Sequence, residues 1–203
     1  MVRVMVIICL MTALIIPTIA VGQNLIELRV GGFITATDPA GLNDKLNELG
    51  LESGSMSGFN VDVFVNIPLF PIGAGLRYEK SSQDRSTSSD KNFELDVKNI
   101  SLLVDWRIFD NALFYAGPLL TLGYPTGTFK LNNVGDLNTV DIDPDQVSLA
   151  IAIEGGIRIS SFILGAELGY SSVKLEPPGL FELAPETNMS GFFGRLQLGF
   201  GMW

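Results

Sequence analysis

From residue 25 onward the chain alternates apolar and polar positions in eight separate stretches, the period-2 signature of strands with one apolar face. The first, Leu25 to Thr35, sets Ile26, Leu28, Val30 and Ile34 against Glu27, Arg29 and Gly31. The second, Gly58 to Ile67, sets Phe59, Val61, Val63, Val65 and Ile67 against Asn60, Asp62, Phe64 and Asn66. A third alternates from Ile72 through Tyr78 and Glu79, and a fourth runs from Phe93 to about Ile108. The phase of the fourth slips at Lys98-Asn99, which predicts a β-bulge there. The fifth, Leu113 to Phe129, is the least regular, because Pro118 and Pro125 interrupt it. Val147 to Ile159, Phe162 to Ser171 and Gly191 to Trp203 complete the set.

The connections alternate in length. Long ones run from Ala36 to Ser57, Ser81 to Asn92, Leu131 to Gln146 and Lys174 to Asn188. Short ones are Pro68-Leu-Phe-Pro71, Asp110-Asn111 and Ser160-Ser161. Together the pattern predicts an all-β fold, an eight-stranded antiparallel up-and-down transmembrane β-barrel with short periplasmic turns and long extracellular loops.

A soluble eight-stranded barrel with an apolar interior shows the same alternation, so the content of the polar face must decide. That face carries Arg29, Arg77, Arg107, Arg158 and Arg195 beside Glu27, Asp62, Glu79, Asp105, Glu154 and Glu167, and is otherwise rich in Gly, Ala and Ser. The lysines fall in loops or near outer strand ends. Arginine's planar fork suits crowded pairing with carboxylates, and glycine makes room for it in a narrow barrel. The polar face therefore reads as a salt-bridged lumen and the apolar face as the lipid face. Aromatics fall in two groups that predict two girdles: Phe70, Trp106, Phe109, Phe114, Phe162 and Trp203 toward the short turns, and Phe33, Phe59, Tyr78, Tyr124, Tyr170 and Phe192 toward the loops.

Before residue 23, Arg3 precedes an apolar run from Val4 to Val21 that holds Pro17 and ends in small residues. It reads as a cleaved secretion signal over 1–22 with the barrel over 23–203; a retained anchor helix is the alternative. Cys9, the single cysteine, lies inside that run, so the mature chain has no thiol chemistry. The 22 acidic against 13 basic side chains argue against nucleic-acid binding.

Signal, strand pattern and terminal aromatic together resemble the small eight-stranded outer-membrane barrels of the OmpX, OmpW and OmpA-transmembrane-domain type, over about Gln23 to Trp203. The resemblance implies a monomer in the outer membrane of a Gram-negative bacterium, in contact with lipid and lipopolysaccharide. It also implies that Trp203 is a cue for the outer-membrane assembly machinery. Barrel hydrolases and acyltransferases of that membrane use histidine, and this chain has none, so a non-enzymatic role without a cofactor is expected. Glu154 and Glu167, on neighbouring strands, could work as acid and base, but ion pairs with arginine are the simpler expectation. Asp141-Ile-Asp-Pro-Asp145 offers clustered carboxylates but lacks the glycine and bidentate glutamate of a calcium loop, so a solvated acidic loop is expected. In the first long connection Asp38 can cap a helix with Pro39 in its first turn, Leu42, Leu46 and Leu49 on one face, and Gly50 as its stop. That helix lies on the rim or acts as a lid. OmpW-like proteins are thought to admit small hydrophobic molecules, which motivates the alternative to an envelope-structural or surface-interaction role: a narrow channel or carrier for small hydrophobic or ionic solutes, gated by the first loop.

Overall fold

The computed structural model describes residues 24–37, 55–67, 70–86, 92–132, 140–142, 147–175, 187–188 and 190–202. The expected signal segment, Leu42, Leu46, Leu49, most of the acidic loop and Trp203 lie outside them. Eight strands form the barrel: β1 (Ile26–Thr37), β2 (Met56–Asn66), β3 (Ile72–Ser86), β4 (Asn92–Trp106), β5 (Phe114–Asn132), β6 (Ser148–Ile159), β7 (Phe162–Ser172) and β8 (Gly191–Met202). Each pairs antiparallel with its sequence neighbour, and β8 returns to β1 through twelve pairs from Ile26↔Met202 to Thr37↔Gly191. The ring is closed and has no free edge, so its ladders satisfy their backbone groups without water.

The alternation maps onto two opposite environments. Apolar side chains stand outside, Ile153 at 71% and Leu168 at 72% exposure, whereas Arg29 and Glu27 inside are at 0%. This is the inverse of a soluble barrel with an apolar core. Outward aromatics ring both ends: Phe162 packs edge-on against Phe200 at 5.8 Å, and Tyr170 against Phe192 at 5.2 Å. Phe162 and Tyr170 are eight residues apart on β7, about 27 Å of strand and about 20 Å of height at a tilt of about 40°. That approaches the apolar band of about 25 Å expected of such barrels. Phe33, expected in the loop-end girdle, instead faces inward beside Arg195.

The expected bulge at Lys98-Asn99 is absent. β4 runs one-to-one against both neighbours through that point, from Asn92↔Ser86 and Asn92↔Asn132 onward. The slip arises because Leu95 and Val97 are apolar yet point into the barrel. The extra residue sits lower, where the β4–β5 ladder ends at Asp105↔Leu119 and resumes as Phe109↔Ala116. Three residues, 106–108, face two there, a bulge beside Pro118. It resets the parity so that Asp105, Arg107 and Asp110 are all buried.

The loop expected from Ser81 to Asn92 is mostly strand as well, since β3 continues to Ser86 and β4 starts at Asn92. Ser81 and Gln83 are buried and Ser82 is half-buried, so this stretch is held as strand by its ladder with β4 and not by an apolar face. Val140–Ile142 likewise pairs with Gly127–Phe129 of β5, and Lys174–Leu175 with Thr187–Asn188. At the other end the turns are tight. Asn111 Oδ1 accepts from the amides of Leu113 (2.8 Å) and Phe114 (2.9 Å), and Ser160 takes a left-handed φ of 58° in the two-residue link to β7.

Candidate functional site

The lumen is where the sequence concentrates chemistry, and strand parity delivers the charges to it. They assemble into two sets. Nearer the short turns, Glu27 accepts from Arg29 (2.5 Å) and from Arg107 across the barrel (3.0 Å), and lies 3.6 Å from Arg158. Arg29 reaches across to Glu154 at 3.0 Å, and Arg107 holds Asp105 at 2.8 Å. Arg158 pairs with Asp110. Nearer the long connections, Arg77 bridges Asp62 (2.6 Å) and Glu167 (2.5 Å), while Arg195 pairs with Glu167 (2.6 Å) and Glu79. Asn60 and Gln197 donate to Asp62, and Asn99 donates to Glu79. Several of these pairs join strands on opposite sides of the ring, β1 to β6, β3 to β7 and β8 to β3, so they tie the wall together across its diameter.

Glu154 and Glu167 are register partners on β6 and β7, yet each is held by different arginines, Glu154 by Arg29 and Glu167 by Arg77 and Arg195. Neither is left as a free acid–base pair. Arg158 pairs with Asp110 and Glu27, not with Glu154.

Sequence reasoning missed three kinds of lumen residue. Asp110 follows the short-turn signal Asp110-Asn111, and only the bulge beside Pro118 turns it inward. Tyr115 belongs to the irregular fifth strand, yet it is 1% exposed. Its ring lies 4.7 Å from the Arg158 guanidinium, 4.8 Å from Arg107 and 5.2 Å from Arg29, and Phe64 lies 4.3 Å from Arg29 on another side. The third kind is apolar: Leu103, Leu119 and Phe193, which join Phe64 and Ala152, already on the polar face by their alternation, in one buried cluster. A parity count along β5 through both prolines would have found Tyr115 and Leu119.

The glycines on the inner face make room for these large groups. At Gly165 a Cβ would meet the Tyr115 hydroxyl at 2.9 Å and otherwise nothing closer than 3.7 Å. Gly165→Ala should therefore be neutral or destabilising in the natural chain. In a Tyr115→Phe background it should gain the roughly 0.5–1 kcal/mol that alanine holds over glycine inside a strand. Urea unfolding of the four members of this cycle measures it; equal effects in both backgrounds would mean the hydroxyl does not occupy that space.

At the loop end the lumen opens into a recess of about 90 Å³, lined by Phe33, Met56, Val97 and Phe193 on its walls and by Arg77, Glu79 and Arg195. Among the described residues no group of three or more acidic, histidine or cysteine side chains is arranged to hold a metal ion.

No protein-family model matches the chain, and no curated protein matches it significantly. Solved structures do. Neisserial surface protein A (NspA) superposes with a TM-score of 0.55 at 13% identity, over 87% of this chain and 97% of that one. The attachment invasion locus protein Ail of Yersinia pestis, solved in complex with the heparin analogue sucrose octasulfate, superposes with a TM-score of 0.52 at 14% identity, over 87% and 95%. The likeness is one of fold: the chain is a closed eight-stranded barrel of the kind found among small outer-membrane proteins.

Proposed function

We propose that this chain is an integral outer-membrane barrel that works at the cell surface through its long connections, and that it neither catalyses a reaction nor conducts solute. The observation that supports this reading is the filled lumen. Five buried arginines, each paired with carboxylates, cross a barrel whose eight strands leave space for side chains only. The recess at the loop end is lined by Arg77, Glu79 and Arg195, which belong to the paired charges that fill the lumen. That weighs against the channel alternative. Against catalysis stand the absence of histidine from all 203 residues and the arginine pairing of Glu154 and Glu167.

The connections suggest the partner's chemistry. Residues 36–57 hold four acidic side chains against Lys45, and 131–146 hold Asp136, Asp141, Asp143 and Asp145 with no basic residue. Such a surface attracts divalent cations, which would bridge it to the phosphates of lipopolysaccharide. It repels free polyanions, so the sulfated ligand seen on Ail is a poor guide to the partner here.

Planar-bilayer recording of the refolded protein tests the reading. Silence is the expected result; steady, discrete openings would replace it with the channel alternative.

A further inference from the structure

Asp105 on β4 and Glu154 on β6 stand on either side of β5, beside Leu119 and Gly117 in their respective registers. Gly117 faces the lumen without a side chain to part them, and the two carboxyl groups lie within hydrogen-bonding reach of each other. Both residues are buried. Each spends one oxygen on an arginine: Asp105 Oδ2 accepts from Arg107 Nε at 2.8 Å, and Glu154 Oε2 accepts from Arg29 Nη1 at 3.0 Å. The other two oxygens, Asp105 Oδ1 and Glu154 Oε1, accept nothing from the described residues. Around the pair stand Arg29 and Glu27 on β1, Arg107 on β4, Tyr115 on β5 and Glu167 on β7, the last held by Arg77 and Arg195. Arg158, paired with Asp110, lies against the Tyr115 ring.

Two ionised carboxylates in such contact repel each other, and a buried acceptor left without a donor costs stability. The neighbouring donors are spent elsewhere. Arg29 and Arg107 divide themselves between the far oxygens of the pair and Glu27, and the Asn66 amide donates to the Asn24 carbonyl and to Glu27. One hydrogen between the facing oxygens satisfies both acceptors and removes one of the two like charges. We propose that Asp105 and Glu154 share a single proton in the folded barrel, held between Asp105 Oδ1 and Glu154 Oε1. The link joins β4 to β6 across β5. It also couples stability to pH. The unfolded chain, whose carboxyl groups ionise at about pH 4, does not hold this proton at neutral pH. The stabilisation is therefore complete in acid and is lost as pH rises until the pair gives up its proton. Arginine-paired carboxylates contribute with the opposite sign, and only below about pH 5. Residues 23–203 contain neither histidine nor cysteine, so no other side chain of ordinary acidity titrates between about pH 6 and 8.

Infrared spectra of the refolded barrel in lipid vesicles at about pH 7 should show the carbonyl stretch of a protonated carboxyl group, shifted when refolding is done in heavy water. Glu154→Gln should abolish the band, because the amide then supplies the hydrogen to Asp105. In parallel, urea unfolding between about pH 6 and 8 should show the folded-to-unfolded ratio of the natural barrel falling about tenfold per pH unit, the slope of one proton. The Glu154→Gln profile should be level. Absence of the band from the natural barrel overturns the proposal, as does a level stability profile in that barrel, or a band that survives Glu154→Gln. The first two readings need only the natural chain, so they decide the question even where the variant fails to refold.

Discussion

Replacing Glu27 with glutamine should destabilise the barrel by about 3–5 kcal/mol, more than any other isosteric change of a lumen carboxylate. Glu27 is fully buried and serves three guanidiniums. Its Oε2 accepts from Arg29 Nη2 at 2.5 Å, Arg29 Nε at 3.1 Å and Arg107 Nη2 at 3.0 Å. Its Oε1 accepts from Arg107 Nη1 at 3.0 Å and Asn66 Nδ2 at 3.1 Å, with Arg158 at 3.6 Å. The amide would remove the charge and turn a donor toward donors. Glu154→Gln is the informative contrast. Glu154 accepts one bond, from Arg29 Nη1 at 3.0 Å, and its Oε1 accepts none from the described residues. Among the described residues its set holds four carboxylates, Glu27, Asp105, Asp110 and Glu154, beside three guanidiniums. Its neutralisation should cost less than about 1 kcal/mol, the worth of a single ordinary hydrogen bond. Urea unfolding in lipid vesicles, followed by the fluorescence of Trp106 and Trp203, gives both values. Equal losses would show that the charge count of the lower lumen is not what sets its stability.

That contrast could be framed from the sequence only in part. The strand number and the two faces were legible because lipid and lumen impose opposite demands on successive residues, so parity in β1, β2, β6, β7 and β8 survives almost without exception. Where that demand lapses, legibility lapses with it. Ser81 to Ser86 carry no apolar–polar alternation in sequence and yet extend β3, held by their pairing with β4. Leu95 and Val97 are apolar in a position that parity assigns to the lumen, and they shifted the inferred bulge about eight residues from its place beside Pro118. The displaced bulge in turn hid Asp110. Of the twelve charged lumen residues described, all but Asp110 could be named from the sequence, but their pairing could not. Partners such as Arg77 and Glu167 lie ninety residues apart and meet only through the diameter of the closed ring.

Tyr115→Ala should cost about 3–5 kcal/mol, and the reason is more specific than lost volume. Arg29, Arg107 and Arg158 approach this one ring within 5.2 Å. Each contact over an aromatic face contributes about 0.5–2 kcal/mol when desolvated, and the ring also fills space that inner-face glycines leave, such as Gly165. Two milder variants separate these contributions. Tyr115→Phe keeps the face and should cost less than about 1 kcal/mol, the worth of an ordinary hydrogen bond at most. Tyr115→Leu keeps most of the volume but offers the guanidiniums no π surface. If packing alone mattered, it would stay within the roughly 1.5 kcal/mol of a volume-conserving swap. If the ring separates three like charges by stacking against them, Tyr115→Leu should fall close to Tyr115→Ala. The cross-lumen pairs through Glu27 and Glu154 remain in all three variants, so the bilayer should stay silent even where stability is lost. Current through Tyr115→Ala alone would move the barrier from the ion pairs to the ring.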